Sequence, residues 1–421
     1  MSRIADTKEV IITSDSAGEH WSASVWDPRT GSSLSTYKNA GALTHGTLQL
    51  LSDSYMIGAD ITKPRIYVWP LNNPSPVPNL RLTTPGKVTA LACTPSGAYM
   101  VAAISERLFI WQVCNGRLLA NLSQHYQTVN CLSFSKDGSS FASGAEDGLV
   151  FVWSLYRVLN DERAAPLHGF SHHSLPVKDL QFGHARGRLC SVSLDRTCNI
   201  YEPNSGLLLL TLVFDVPLTA VRMNARESDL FVGCTDGSVY RFNLHEPPRG
   251  IEHHVQVGKN NSEGVIFQGN KSTIVALSIS IDSRYLLTGS TSGEVHVWDI
   301  ASRQILRTID HKGPITAAFF AKYCENFRVT ELKPRLQVSN LQRISDDTDG
   351  KQSSSIEVIS RDRNPADVLN FDAYVENEAA GSDDPSLRNL LEMREEIERL
   401  KKINAAIYQY SVKCILDGTD R

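Results

Sequence analysis

The sequence lacks the features that would mark a membrane-spanning, secreted or generally nucleic-acid-binding protein. Its 421 residues include 42 basic and 46 acidic side chains, a formal net charge of −4, so no overall positive charge favours nucleic acid. The longest apolar run, residues 207–214, is interrupted by Thr211 and is far shorter than a membrane span. The first ten residues contain no apolar signal core, so we expect no secretion.

The sequence also lacks metal-ligand spacing. None of the eight cysteines forms a Cys-x-x-Cys pair, and most, such as Cys131 in VNCLSF, lie in apolar, strand-like runs. We therefore expect buried, reduced thiols. The histidine pairs 172–173 and 253–254 have no companion Cys or carboxylate set, so we expect neither a metal nor a cofactor.

What the sequence does contain is a repeat. Short β-rich runs end in an aromatic residue at intervals of 41–56 residues, most of them close to 42. The seven aromatic residues are Trp26, Trp69, Trp111, Trp153, Tyr201, Phe242 and Trp298. Each unit offers three alternating apolar runs and a fourth strand candidate, which is the composition of a propeller blade. Seven units predict an all-β, seven-bladed propeller.

Two units carry a polar set at matching offsets. The fourth contains His125, Ser143, Asp147 and Trp153. The fifth contains His173 (or His172), Ser191 and Asp195, with Tyr201 in place of tryptophan. With the repeat spacing, these sets resemble WD-repeat proteins over about residues 8–321. The resemblance implies buried structural tetrads that join the strands of a blade. Because no Gly-x-Ser-x-Gly elbow accompanies the serines, we expect no catalysis.

The chain ends suggest how the ring closes. The first unit begins at Glu9 with a string that matches the second strand of later units, so its first strand is missing. Residues 314–320 resemble a first strand, and we predict that they complete blade one within a propeller spanning residues 1–321. Closure would remove an open sheet edge. The alternative is that these residues begin a C-terminal extension.

The last hundred residues differ from the repeats. Residues 322–345 alternate in polarity and predict an extended segment, which could be a strand, on the propeller. Residues 346–385 are acidic and predict a flexible linker. Residues 386–414 predict an amphipathic helix with a heptad stripe, which favours a parallel two-stranded coiled coil. Its positions are Leu390, Met393, Ile397, Leu400, Asn404 and Ile407. The alternative is a helix that docks on the propeller or on another protein.

Several strings narrow the resemblance within the WD-repeat family. They are SQHYQTVNCLSF, EDGLVFVWSLYRVL, LLLTLVFDVPLTAVRMN and EEIERLKKINAAIYQYS. Together they are similar to the WD-repeat subunits of the rixosome, a complex that matures the large ribosomal subunit. The resemblance is weakest across residues 322–385.

That resemblance implies a non-catalytic scaffold in the nucleus, nucleolus and nucleoplasm, with a cytoplasmic share left open, that supports removal of the internal spacer from pre-rRNA. The implied partners are a Pro/Glu-rich armadillo-like scaffold, a testis-expressed helical-repeat protein, an AAA-type remodelling ATPase, an endonuclease–kinase pair, a SUMO protease, and the pre-ribosomal particle, whose RNA it would contact indirectly. It also implies a homodimer through the C-terminal helix.

The sequence gives less support to two other functions, a ubiquitin-ligase substrate receptor and a direct nucleic-acid binder. A substrate receptor of a ubiquitin ligase would need a WDxR-type docking motif. Ile300 and Ala301 follow Trp298-Asp299, and the run in which Pro28-Arg29-Thr30 follows Trp26-Asp27 lacks the strand context that we expect for such a motif. Direct nucleic-acid binding would need a basic stripe with interleaved aromatic residues, which we do not find.

Overall fold

The computed structural model describes residues 9–18, 21–161, 164–245, 250–255, 265–343 and Arg399. The chain divides into two compact units, residues 1–352 and 353–421. The described part of the first unit is a seven-bladed β-propeller. Each blade is an antiparallel sheet of four strands, and blade five has a fifth strand added in parallel. The fold class predicted from the repeat is confirmed.

Blades one to three contain the following strands, from the inner to the outer edge. Blade one has β29 (Ile315–Lys322), β1 (Glu9–Asp15), β2 (Ala23–Trp26) and β3 (Ser33–Tyr37); blade two has β4 (Gln49–Leu51), β5 (Tyr55–Ala59), β6 (Arg65–Pro70) and β7 (Leu82–Thr83); blade three has β8 (Ala90–Cys93), β9 (Tyr99–Ile104), β10 (Arg107–Gln112) and β11 (Leu118–Leu122).

Blades four to seven continue the ring. Blade four has β12 (Val129–Phe134), β13 (Ser140–Ala145), β14 (Val150–Ser154), the short helix α1 (Leu155–Asn160) and β15 (His168–Phe170); blade five has β16 (Val177–Phe182), β17 (Leu189–Ser193), β18 (Thr197–Glu202), β19 (Leu207–Val213) and β23 (Glu252–His254); blade six has β20 (Leu218–Met223), β21 (Asp229–Cys234), β22 (Val239–Asn243) and β24 (Val265–Phe267); blade seven has β25 (Ile274–Ile279), β26 (Tyr285–Ser290), β27 (Glu294–Asp299) and β28 (Ile305–Asp310).

Burial changes from the second to the outer strand of a blade. All five residues of β17 are buried, because neighbouring blades cover both of its faces. In β28, by contrast, only Ile309 is buried, since one side of an outer strand meets solvent. The apolar runs of the sequence are therefore second and third strands, and the more polar fourth runs are blade edges.

The two ends of the ring share blade one. Strand β29 pairs antiparallel with β1 along its length, from Glu9 opposite Lys322 to Asp15 opposite Ile315. Residues 315–322 thus occupy the inner position that is missing from the N-terminal unit. Pairing of the two ends leaves blade one with the same four-stranded sheet as its neighbours and removes an exposed strand edge.

The insert between β22 and β24 contributes to two blades, which its sequence did not indicate. Its strand β23 pairs in parallel with the outer strand of blade five, Thr211 lying opposite Glu252. The following β24 returns to blade six and pairs with β22. The three polar residues of β23 carry no alternation of hydrophobicity, so only tertiary pairing reveals the strand.

A belt of residues 323–343 crosses blades two and three. It contains a single 3-10 turn, Glu325–Phe327, and forms no strand, although its alternating polarity had left a strand open. Its backbone bonds are isolated contacts, such as Ser339 N–H to the Val113 carbonyl. Leu336 and Leu341 bury their side chains in the core of blades two and three.

The acidic linker, residues 346–385, and the heptad residues of the C-terminal helix lie outside the described residues. The predictions made for them therefore stay predictions.

Candidate protein-interaction site

Blade four assembles its predicted polar set into one network. His125 Nε2 lies 2.8 Å from Ser143 Oγ, and His125 Nδ1 lies 3.1 Å from Asp147 Oδ2. Trp153 Nε1–H donates to the same Ser143 oxygen at 3.0 Å. The network joins the loop before β12, strand β13, the β13–β14 turn and strand β14. It therefore connects the three inner parts of the blade by hydrogen bonds.

Blade five repeats the network with a different third strand. His173 Nε2 lies 2.7 Å from Ser191 Oγ, and His173 Nδ1 lies 3.1 Å from Asp195 Oδ2. Tyr201 occupies the strand position that Trp153 has in blade four, opposite Leu189, and its ring stacks on Phe170 with centroids 4.1 Å apart. Asn199 Nδ2 also approaches His173 Nε2, at 3.3 Å.

The order Asp147–His125–Ser143 matches the order of a hydrolytic triad, but the arrangement cannot present a nucleophile. Ser143 is 0% exposed, and its oxygen already accepts the indole N–H of Trp153. A substrate carbonyl therefore has no path to this hydroxyl. The chemistry that the network supports is hydrogen bonding between strands.

Burial and hydrogen bonding set the charges of the networks. Burial lowers the pKa of His125, against the opposing charge of Asp147. Burial would raise the pKa of Asp195, but hydrogen bonds from His173 and Thr197 outweigh it and lower that pKa to about 2. Asp195 is consequently an anion at any physiological pH.

Other blades satisfy the same indole N–H differently. Trp298 of blade seven donates to Thr288, which donates to Asn270 in place of a histidine. Trp111 of blade three donates to the carbonyl of Gln342 in the belt, at 2.8 Å. Sequence reasoning named neither partner. Asn270 stands 18 residues before Thr288, the offset that separates His125 from Ser143, but it is not a histidine. Gln342 lies outside the repeat altogether.

Blade one contains a histidine that sequence reasoning missed. His311 Nδ1 lies 3.6 Å from Asp15 Oδ2, and Trp26 donates to Thr13 at 2.8 Å. A signal was present: His311 precedes β29 by four residues, as His125 precedes β12. The position six residues before Trp26, which is aspartate in blades four and five, is His20 in blade one and lies outside the described residues.

The networks of blades four and five fix the backbone that carries two exposed hydrophobic side chains. Tyr126, 82% exposed, follows His125, and its N–H donates to Asp147 Oδ2 at 3.1 Å. Leu175, 48% exposed, follows Ser174, whose N–H donates to Asp195 Oδ2 at 3.0 Å. Both residues lie in loops that precede an inner strand, so they share one face of the ring, here called the tetrad face.

The β13–β14 turn of blade four is a close neighbour of the loop that carries Leu175 in blade five. Gly148, in the β13–β14 turn, has φ of 77°, and a Cβ there would lie 2.7 Å from the backbone oxygen of His173. Only glycine fits this turn without strain. The turn of blade four therefore packs directly on the loop that carries Leu175.

Two further observations concern the described residues as a whole. No helix among them is both long and apolar enough to cross a membrane. They contain no group of three or more side chains that could together hold a metal ion. Of the two histidine pairs, His173 belongs to a tetrad and His254 lies 3.3 Å from Glu252.

Comparison with known proteins identifies the family. The model for "WD domain, G-beta repeat" matches residues 116–154 and 261–299. The chain is 34% identical to WD repeat-containing protein 18 of Mus musculus, over 98% of this chain and 99% of that protein. The chain belongs to the WD repeat-containing protein 18 family. Similarity across nearly the full length of both chains places the belt and the C-terminal segment within the family's shared sequence.

Two more distant likenesses are informative for the family. The chain is 27% identical to the pre-rRNA-processing protein pro-1 of Caenorhabditis elegans, over 76% of this chain and 63% of that protein. A computationally designed protein, Ika8, matches with a TM-score of 0.54 at 23% identity, covering 73% of this chain and 86% of its own. The second likeness concerns the fold alone.

Proposed function

We propose that this chain is a non-catalytic scaffold subunit of a nuclear complex that matures the large ribosomal subunit and processes the internal spacer of pre-rRNA. The observation that carries the proposal is the full-length similarity to WD repeat-containing protein 18. The name of the pro-1 relative, a pre-rRNA-processing protein, supports the same pathway. The buried serines of the tetrads support a binding role over a catalytic one.

The proposal includes the partners that the rixosome resemblance implies. These are the Pro/Glu-rich armadillo-like scaffold, the testis-expressed helical-repeat protein, the AAA-type ATPase, the endonuclease–kinase pair and the SUMO protease. It places the protein in the nucleus and nucleolus, as a homodimer through its C-terminal helix.

The tetrad face is the surface that we assign to partner binding. Tyrosine is enriched among residues that dominate interface energetics. Here Tyr126 is 82% exposed yet has a fixed backbone, because Asp147 binds its N–H. A side chain carried on a fixed backbone needs less ordering of the chain on binding, which favours affinity.

The test replaces the endogenous protein with variants in its own cells. We expect Tyr126→Ala combined with Leu175→Ala to reduce co-purification of partner proteins and to accumulate precursors that retain the internal spacer. The matched control is Tyr156→Ala, since Tyr156 is 76% exposed and lies in α1, after the third strand of blade four, on the opposite face.

Two outcomes would contradict the proposal. Normal spacer removal after depletion of the chain would remove the maturation role. Co-purification of ubiquitin-ligase subunits with unaltered pre-rRNA would instead support the alternative, a substrate receptor. Equal loss of partners in the Tyr156 variant would mean that the tetrad face is not the binding surface.

A further inference from the structure

A second concave site lies on the face opposite the tetrad face. It is a cleft of about 520 Å³ between blades four and five, bordered by the β12–β13 and β16–β17 turns. Lys136, His184 and Arg186 line it together with Asn204. Lys136 and His184 also line the mouth of the central channel, so the cleft is continuous with a channel cavity of about 570 Å³. We call this continuous surface the basic cleft.

The cations of the basic cleft are not neutralised within the described part of the chain. Lys136 and Arg186 are exposed and form no ion pair there, and Lys178, in the channel wall, forms none either. Burial and, after it, the positive charge of Lys136 lower the pKa of His184, against the opposing charge of Glu227. The basic cleft is thus locally positive, although the whole chain has a formal net charge of −4.

The carboxylates around the cleft are each engaged by the protein itself. Asp179 Oδ2 accepts from Arg222 at 2.6 Å and from the Val221 N–H at 3.0 Å. Asp137 accepts from the hydroxyls of Ser135 and Ser139. Asp137 is exposed and keeps its charge, so the fully charged side chains that line the cleft are two cations, Lys136 and Arg186, against this one anion.

Glu227 holds the wall of the cleft in position. Its side chain is buried, and its Oε1 accepts the backbone N–H groups of Ala185, Arg186 and Gly187 at 2.8, 2.8 and 3.1 Å. This residue of blade six thereby fixes the β16–β17 turn of blade five. A turn held in this way presents Arg186 from a rigid backbone, which reduces the entropy lost on binding.

The shape and lining of the cleft favour a peptide over RNA. Single-stranded nucleic acid binds to aromatic rings exposed for base stacking, but the phenylalanines that line the basic cleft, Phe134, Phe182 and Phe319, are buried or half-buried. A narrow cleft with separate cations suits carboxylate side chains along an extended chain. We propose that the basic cleft binds an acidic peptide segment of a partner protein, as a second interaction surface independent of the tetrad face.

The test measures binding of the full chain to a fluorescein-labelled twelve-residue peptide of alternating Glu and Gly, by anisotropy at 50 and 300 mM NaCl. The comparison probe replaces each Glu with Gln. We expect the Glu peptide to bind more tightly than the Gln peptide and its affinity to fall with salt, because the interaction is between charges.

Paired charge reversals locate the site. Lys136→Glu with Arg186→Glu should weaken peptide binding at least about tenfold, since both opposed charges are lost. The matched control, Lys87→Glu with Arg196→Glu, changes the net charge equally at exposed positions on the tetrad face and should retain affinity within about twofold. All four side chains are exposed, so thermal melting should be unchanged in both variants.

Three results would overturn the proposal. They are equal binding of the Glu and Gln peptides, an equal loss of affinity in the two double variants, and tighter binding of a twelve-nucleotide oligouridylate than of the Glu peptide. The last result would assign the cleft to RNA. None of these binding measurements depends on rRNA processing. A negative result would therefore contradict peptide binding by the cleft and leave the proposed maturation role intact.

Discussion

The oxygen of Ser143 serves two neighbours at once. It accepts the indole N–H of Trp153 and bonds the imidazole of His125, and all three groups are buried. Removing this oxygen would leave two buried polar groups without a partner. An unsatisfied buried group costs more than the hydrogen bond contributes when formed.

We therefore expect Ser143→Ala to lower the free energy of unfolding by about 1–3 kcal/mol for each buried group that loses its hydrogen-bond partner. Urea denaturation followed by tryptophan fluorescence measures the change. Ser174→Ala is the control, because the Ser174 side chain is exposed and should alter stability by less than about 0.5 kcal/mol. A Ser143 variant as stable as this control would show that the tetrad does not stabilise the blade.

The lowered pKa of His125 predicts a dependence of stability on pH. Burial favours the neutral imidazole in the folded state, whereas the unfolded chain protonates near pH 6.5. The contribution is thus fully present above pH 6.5 and is lost as pH falls through the folded-state pKa. The free energy of unfolding should decline from pH 7 to pH 5, and His125→Gln should reduce that slope. An equal slope in wild type and variant would contradict the assignment.

At the scale of elements, the period of the sequence repeat predicted the blades well, but the sequence did not predict pairings between distant parts of the chain. The repeat predicted seven blades because each unit buries its apolar runs against its neighbours in the same way. Blade three nevertheless recruits Gln342 of the belt, which no local offset could indicate, and blade seven has Asn270 where blades four and five have a histidine. Strand β23 was likewise invisible, because its parallel pairing depends on a strand forty residues earlier in the chain.

The belt makes a prediction of its own. Leu336 and Leu341 are buried in the core of blades two and three, so Leu336→Ala should destabilise the protein by about 2–5 kcal/mol. Relative to the wild type, hydrogen exchange in the Leu336→Ala variant should accelerate more in β8–β11 than in β20–β22. Gln337→Ala, at an exposed neighbouring position, is the control and should leave exchange unchanged. Unaltered protection in the Leu336 variant would mean that the belt lies on the propeller without supporting it.

Ring closure makes a prediction that concerns the whole propeller. A chain ending at residue 312 lacks β29 and exposes the inner edge of β1, where seven residue pairs are lost. We expect it to aggregate or to melt without a cooperative transition, because an open strand edge promotes intermolecular pairing. A chain ending at residue 345 retains the complete blade and should melt as the full chain does. Cooperative melting of the shorter chain would show that closure is dispensable.

Self-association through the C-terminal helix determines how many copies of each partner one scaffold could hold. The heptad residues Leu390, Ile397 and Asn404 occupy a positions, and an asparagine at a single a position favours a two-stranded parallel pair. Light scattering should give twice the chain mass of 46.6 kDa for the full protein and one chain mass for a truncation ending at Gly381. Ile397→Lys should have the effect of the truncation, whereas Lys402→Gln, outside the stripe, should leave the dimer intact. A full chain that stays monomeric would instead mark residues 390–407 as a docking helix for a different protein, and each complex would then carry a single copy of both binding faces.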